Sequence, residues 1–148
     1  MLAIDRAANN TSIVFELRWR GWTLLFTGDA ELRSWSLMKQ RLRPVHFLKV
    51  GHHGSHNATP GEYVLDRMLP RRNGGKRARV AVVSTCTRVY GGVPDPFVIR
   101  RLGARFDKLL LTSVQPPGTH IDVMFDESGS WSYARAGGKP SVIRRGRS

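Results

Sequence analysis

Acidic residues, cysteines and long apolar runs are all scarce in this chain. Against 24 lysines and arginines stand 11 aspartates and glutamates, which leaves a formal net charge of +13 over 148 residues. That imbalance favours an anionic partner: nucleic acid, a phosphate ester or an acidic membrane surface. Much of the excess falls in two loop-like stretches, residues 71–79 and 135–147, and loose basic segments of this kind are also commonly just solvated. The single cysteine, Cys86, excludes an internal disulfide and a zinc cage built from thiolates. Nothing in that usage demands an oxidising compartment, so the cytoplasm is the default location. No apolar run approaches the ~20 residues of a membrane helix. The first residues, Met1 to Asp5, lack the charged-then-apolar layout of a secretory signal. No internal repeat is visible.

What is present suits one domain. At 41% hydrophobic the chain can bury a core. Asn9-Asn10-Thr11 reads as a turn. From Ser12 to Trp19 the residues alternate, with Ile13, Phe15, Leu17 and Trp19 on one face and Glu16, Arg18 and Arg20 sharing the other with Val14, a strand with one wet face. Arg20-Gly21 turns the chain into a second strand, Trp22 to Thr27, apolar on both faces apart from Thr23. Leu32, Trp35, Met38 and Leu42 recur at helical spacing, predicting a helix over 30–42 that Pro44 stops. Residues 45–50 make the next strand.

Thr59-Pro60-Gly61-Glu62 has the form of a capping box with proline at the first helical position. The helix it predicts runs to Pro70. Residues 80–84, rich in valine, read as a buried strand. Asp95-Pro96 opens a further helix to Gly103, and Leu109-Leu110-Leu111 is a strand. Residues 119–125 and 131–133, joined at Glu127-Ser128-Gly129, read as a closing hairpin. The basic Gly- and Pro-containing stretch 136–148 is expected to be a disordered tail, leaving 1–135 as the domain. Strands alternating with helices, with antiparallel hairpins at both ends, give an α/β layered fold.

The chemistry concentrates between Thr27 and Ser55. Thr27-Gly28-Asp29 follows one apolar strand and Gly51-His52-His53-Gly54-Ser55 follows another. A carboxylate and imidazoles just past the ends of core strands are held still yet reachable, which is how α/β proteins build metal sites. Asp29 can bridge two metal ions, or it can merely cap the helix that follows. His52 and His53 are neighbours and in extended chain would face opposite ways, so one is expected to bind metal and the other to support it or carry a proton. Ser55 offers a hydroxyl to an anion. His56 is a further candidate. His46, inside a strand, reads as a packed or edge histidine, and His120 as an exposed loop residue. Cys86 reads as a packed small side chain rather than a nucleophile. Trp19, Trp22, Trp35 and Trp131 could stack on bases, but their positions suit core and edge packing better.

Taken together, Asn10-x-Ser12, Leu25-Phe26-Thr27-Gly28-Asp29-Ala30-Glu31 and Leu48-Lys49-Val50-Gly51-His52-His53-Gly54-Ser55 resemble the metallo-β-lactamase-like domain of the DNA-internalisation competence protein family. The likeness continues through Val82-Val83-Ser84, Tyr90-Gly91, Pro94 and the helix from Phe97 to Leu102, and covers most of the chain. It implies a four-layer αββα sandwich with a binuclear site, usually zinc, that activates water. By that resemblance Asp29 is the bridging ligand, His52 a ligand of the second metal, and His53 a supporting or proton-transfer group. The implied activity is that of a nuclease-like, metal-dependent hydrolase acting on DNA or another anionic substrate, and the implied location is the membrane if the domain belongs to a larger competence protein.

Two departures stand out. The family's His-x-His-x-Asp-His motif, which supplies most ligands from the N-terminal half of the sandwich, is absent. Where the family has Tyr-Gly-His-Pro, this chain has Tyr90-Gly91-Gly92-Val93-Pro94. The chain therefore resembles the C-terminal half of the domain, with two zinc ions expected only once a missing N-terminal half or a second chain completes the site. The rival expectation is a non-catalytic basic module that binds nucleic acid, or an inactive fragment.

Overall fold

The computed structural model describes residues 8–70, 77–86, 91–114, 120–135 and 141–143. A five-stranded mixed sheet forms the centre, with strands in the order β1 (Phe15–Trp19), β2 (Trp22–Phe26), β3 (Phe47–Val50), β4 (Val80–Val83), β5 (Lys108–Leu111). β1 and β2 are the antiparallel hairpin, with Phe15 opposite Phe26 and Trp19 opposite Trp22. From β2 onward every pair is parallel. Parallel neighbours need crossovers, and three short helices supply them: α1 (Leu32–Met38), α2 (Glu62–Met68) and α3 (Pro96–Gly103). A second sheet of three antiparallel strands, β6 (Ile121–Phe125), β7 (Trp131–Arg135) and β8 (Ser141–Ile143), packs on the other face.

The two faces of the central sheet bury different cores. Alternation along β3 sends Leu48 and Val50 to the helices, where they meet Trp35, Leu65, Met68, Val98 and Leu102. Phe47 points the other way, into a cluster with Trp22, Val80, Val82, Leu110 and Trp131 beneath the small sheet. Four consecutive buried residues, Val80 to Val83, follow from β4 lying centrally with both faces covered. The molecule is thus mixed α/β, with helices, a large sheet and a small sheet stacked in that order. Among the described residues no helix is long and apolar enough to cross a membrane.

Several expectations need correction. α1 ends at Met38, well before Pro44: residues 39–41 form a turn in which the Arg41 amide donates to the Met38 carbonyl at 2.8 Å, and Leu42 joins the core from beyond the helix. The capping box at Thr59 does not form: the N-cap of α2 is Gly61 without a side-chain bond, and the Thr59 hydroxyl donates to the Ser55 carbonyl at 3.1 Å. Asp95 does cap α3, accepting from the amides of Phe97 and Val98. The stretch from Ala136 is not wholly without structure, since Ser141–Ile143 pairs with β7; its remainder, like the basic residues 71–76 and Tyr90, lies outside the described residues. Cys86 is exposed rather than packed. Trp22, Trp35 and Trp131 are buried as expected, but Trp19 is 43% exposed together with Phe15 at 51% and Leu17 at 49%. The face of β1 predicted to be buried is the one left uncovered.

Candidate functional site

Asp29, the 51–55 loop, Ser84 and Thr112 each follow the carboxyl end of a strand, so the parallel arrangement alone brings them to one edge of the large sheet. The join between the first two loops is tight. A Cβ on Gly51 would lie 2.6 Å from the Gly28 carbonyl oxygen and 2.7 Å from Thr27 Oγ1. The Thr27 hydroxyl donates to the Lys49 carbonyl at 3.1 Å, pinning β2 to β3 just before both motifs diverge. Gly28 has φ +52°, and a Cβ there would press on Ser12 at 3.0 Å. Ser12 Oγ in turn accepts from the Asp29 amide at 3.0 Å. Asp29 does not cap α1, whose N-cap position is Glu31.

The histidine pair is not extended. His52 and His53 both adopt left-handed backbone, φ 42° and 56°, within a single 3-10 turn closed by Gly54. Two successive non-glycine residues there cost energy, and such strain concentrates at functional sites. The His52 amide donates to Asp29 Oδ1 at 3.0 Å, so Asp29 meets His52 through the backbone. The His53 ring is fixed by Nδ1 against the Ser84 carbonyl at 2.8 Å; a carbonyl only accepts, so Nδ1 carries a proton in this contact. The two rings stand 6.2 Å apart, 62° from parallel.

Sequence reasoning overlooked Glu31, although it closes the Thr-Gly-Asp-Ala-Glu motif. It is 7% exposed. Its Oε1 accepts from Asn9 Nδ2 at 3.0 Å and Asn57 Nδ2 at 2.8 Å, and lies 4.0 Å from His52 Nδ1, a buried nitrogen with no hydrogen-bond partner in range. Trp35 Nε1 donates to the Ala58 carbonyl at 2.8 Å, tying α1 to the histidine loop. Ser55 is turned inward: its hydroxyl donates to Asn57 Oδ1. His56 is exposed, with Nδ1 3.9 Å from Asp95 Oδ2. His46 lies just before β3 rather than inside it, but it is packed and satisfied as expected, its Nδ1 accepting from the Thr23 amide at 3.1 Å and its ring meeting Trp22 edge-on. His120 is exposed beside Asp122 at 3.4 Å.

Lys49 was also passed over. It shares a strand face with Phe47, and its ammonium reaches a cleft of about 500 Å³ between the two sheets. Burial lowers its affinity for a proton below that of an ordinary lysine, and the charge of Asp29 opposes that shift. A larger cleft of about 790 Å³ lies at the opposite end of the strands, but its charged side chains are already engaged, Arg105 with Asp66, Asp107 with the Arg79 amide, and the Arg79 guanidinium with the Pro70 carbonyl.

Imidazole nitrogen and carboxylate oxygen are the donors zinc takes, so the residues fit in kind. They fall short in number: among the described residues no group of three or more His, Cys, Asp or Glu side chains is placed to hold a metal ion. Asp29, His52, His53 and Glu31 are neighbours, not a closed cage.

The chain is 36% identical over 67 residues to recombination protein 2 of Haemophilus influenzae, a stretch that is 45% of this chain and 8% of that protein. No protein-family model matches the chain, and no solved structure matches it.

Proposed function

We propose that this chain supplies one half of a metal-dependent hydrolase site acting on a phosphodiester, or on another anionic substrate. The observation that carries the reading is the placement of Asp29 and the His52-His53 turn side by side at the carboxyl ends of β2 and β3, in left-handed backbone. The Nδ1 contact of His53 to the Ser84 carbonyl orients the ring, and Nε2 is its proposed base or ligand nitrogen. Asp29 and His52 are the proposed zinc ligands, and Ser55 holds the loop through Asn57 rather than waiting free for substrate. Zinc, when bound, lowers the pKa of a coordinated water so that hydroxide is available near neutral pH. The net charge of +13 favours an anionic substrate, and a match to part of a protein named for recombination favours DNA.

The remaining ligands would come from the missing N-terminal half or a second chain. Support for a partner is the uncovered face of β1. β7 lies toward β5, with Lys108 Nζ 5.6 Å from the Tyr133 ring, and β6 lies toward β2, with Phe125 4.7 Å from Trp22. The outer edge of β6 therefore faces β1, and a strand added there would cover Phe15, Leu17 and Trp19. The test is reconstitution. Supplying a segment with His-x-His-x-Asp-His, in cis or in trans, should confer zinc-dependent hydrolysis of single-stranded DNA, and Asp29→Ala should abolish it. Turnover that survives Asp29→Ala contradicts the reading.

A second reading, a non-catalytic basic module for nucleic acid, is favoured by the short donor set. Its binding would fall steeply with salt and ignore chelator.

A further inference from the structure

A cation on the interior face of a central strand is costly to bury, and Lys49 is such a cation. By register it lies between Phe26 on β2 and Val82 on β4, with Phe47 two residues before it on the same face. Its stem runs along apolar rings and its ammonium emerges in the inter-sheet cleft, beside Ser84, Thr112 and His120 at the carboxyl ends of the strands. One of its three protons points to the Val50 carbonyl at 3.3 Å, a long bond that leaves the others for a ligand. The charge that opposes the effect of burial on Lys49 is that of Asp29, a proposed ligand of the candidate site. The remaining wall is aromatic, with Phe26, Phe47 and Phe125 within reach of a flat ring.

We propose that Lys49 is the anion-binding residue of this site: its ammonium takes a non-bridging oxygen of a phosphodiester, while the apolar lining of the cleft takes the adjoining base. This rests on the hydrolase reading for its substrate class, not for its geometry. Among the described residues lining the cleft, Lys49 stands as a lysine against a mostly apolar wall, so the cleft selects a group with one anionic end and one apolar end. Inorganic phosphate alone uses only the first of these.

The test uses the full chain with chelator present and no metal, so that no turnover is involved. The probes are a thymidine dinucleotide with one phosphodiester and its uncharged methylphosphonate analogue, at physiological ionic strength. The wild-type chain should prefer the phosphodiester about tenfold, as expected of a hydrogen bond to a charged group. In Lys49→Met that preference should collapse to about the level the rest of the basic surface gives, and Lys49→Arg should restore most of it. An unchanged preference in a folded Lys49→Met overturns the proposal. Should Lys49→Met fail to fold, the Lys49 Cε resonance of the wild-type chain decides: it should move on titration with the phosphodiester and stay still with the methylphosphonate, and equal movement overturns the proposal. Loss of the hydrolase reading through absent zinc leaves this preference standing, whereas zinc-dependent turnover with an unaltered preference in Lys49→Met removes Lys49 alone.

Discussion

The backbone amide of His52 donates to Asp29 Oδ1 at 3.0 Å, across 23 residues of sequence. Two strand-end loops are thereby locked by a carboxylate that the candidate chemistry also needs. Asp29 has a structural duty before any ion arrives, and substitutions there must be read with that in mind. Asp29→Ala should cost about 1–2 kcal/mol of stability in the chain alone, and Asp29→Asn, which keeps an acceptor oxygen, markedly less. Urea unfolding of both variants checks this.

Gly51→Ala should be the most damaging small substitution in the region. The added Cβ would sit 2.6 Å from the Gly28 carbonyl oxygen, and backbone on both sides has no room to retreat. A loss of about 1–3 kcal/mol is expected. Gly91→Ala, with nothing within 4 Å of its Cβ and no helix cap to lose, is the control and should fall within about 0.5 kcal/mol of wild type. Parallel thermal melts distinguish them.

Acid should loosen the helical layer. Glu62 Oε1 accepts from Arg101 Nε at 2.6 Å, and Arg105 bridges Glu62 to Asp66, clamping α2 to α3. The Arg101 hydrogen bond, aided by the charges of Arg101 and Arg105, holds the Glu62 carboxyl below its ordinary 4.5. A depressed carboxylate contributes stability that is present above the unfolded value and lost as pH falls through the folded one. Wild type and Glu62→Gln should therefore differ at neutral pH and converge in acid, once the pH has fallen through the lowered folded value of Glu62. Because Glu62 is largely exposed, the neutral-pH difference should stay under about 1 kcal/mol. Unfolding of the pair between acid and neutral pH tests it.

The uncovered face should show itself in solution. Phe15 stacks on Phe26 at 4.6 Å, yet Phe15, Leu17 and Trp19 remain about half exposed, and among the described residues no strand lies above them. The chain alone should bind an apolar dye and self-associate as concentration rises. Leu17→Thr with Trp19→Thr should reduce both without a large loss of stability, since the pair contributes little to the buried core. Analytical ultracentrifugation is the measurement, and a monodisperse monomer that ignores the dye would count against a missing partner.

Much of the fold was legible because its signals are local. Alternation found β1, valine runs found β4, and the Asp95-Pro96 pair found α3 with its cap. The capping box at Thr59 misled because Thr59 had a better partner in the Ser55 carbonyl, a contact only the folded loop creates. The direction of β1 misled for another reason: alternation says which residues share a face, not whether anything covers it. At the site, Asp29 and the histidine pair stood out by their place after apolar runs. Glu31 and Lys49 did not, because a lone charge beside or within such a run announces itself only when the burial around it is known. Lys49 did leave a trace, as the one charged residue in a run of Phe47-Leu48-Lys49-Val50.

The measurement that bears most directly on the account is the zinc content of the completed domain. The chain joined to a segment bearing His-x-His-x-Asp-His should retain a pair of zinc ions per molecule after exhaustive dialysis, and Asp29→Ala should lose at least one of them although Asp29→Asn confirms that the fold persists. Zinc retained by the joined protein no better than by the 148-residue chain alone would contradict it.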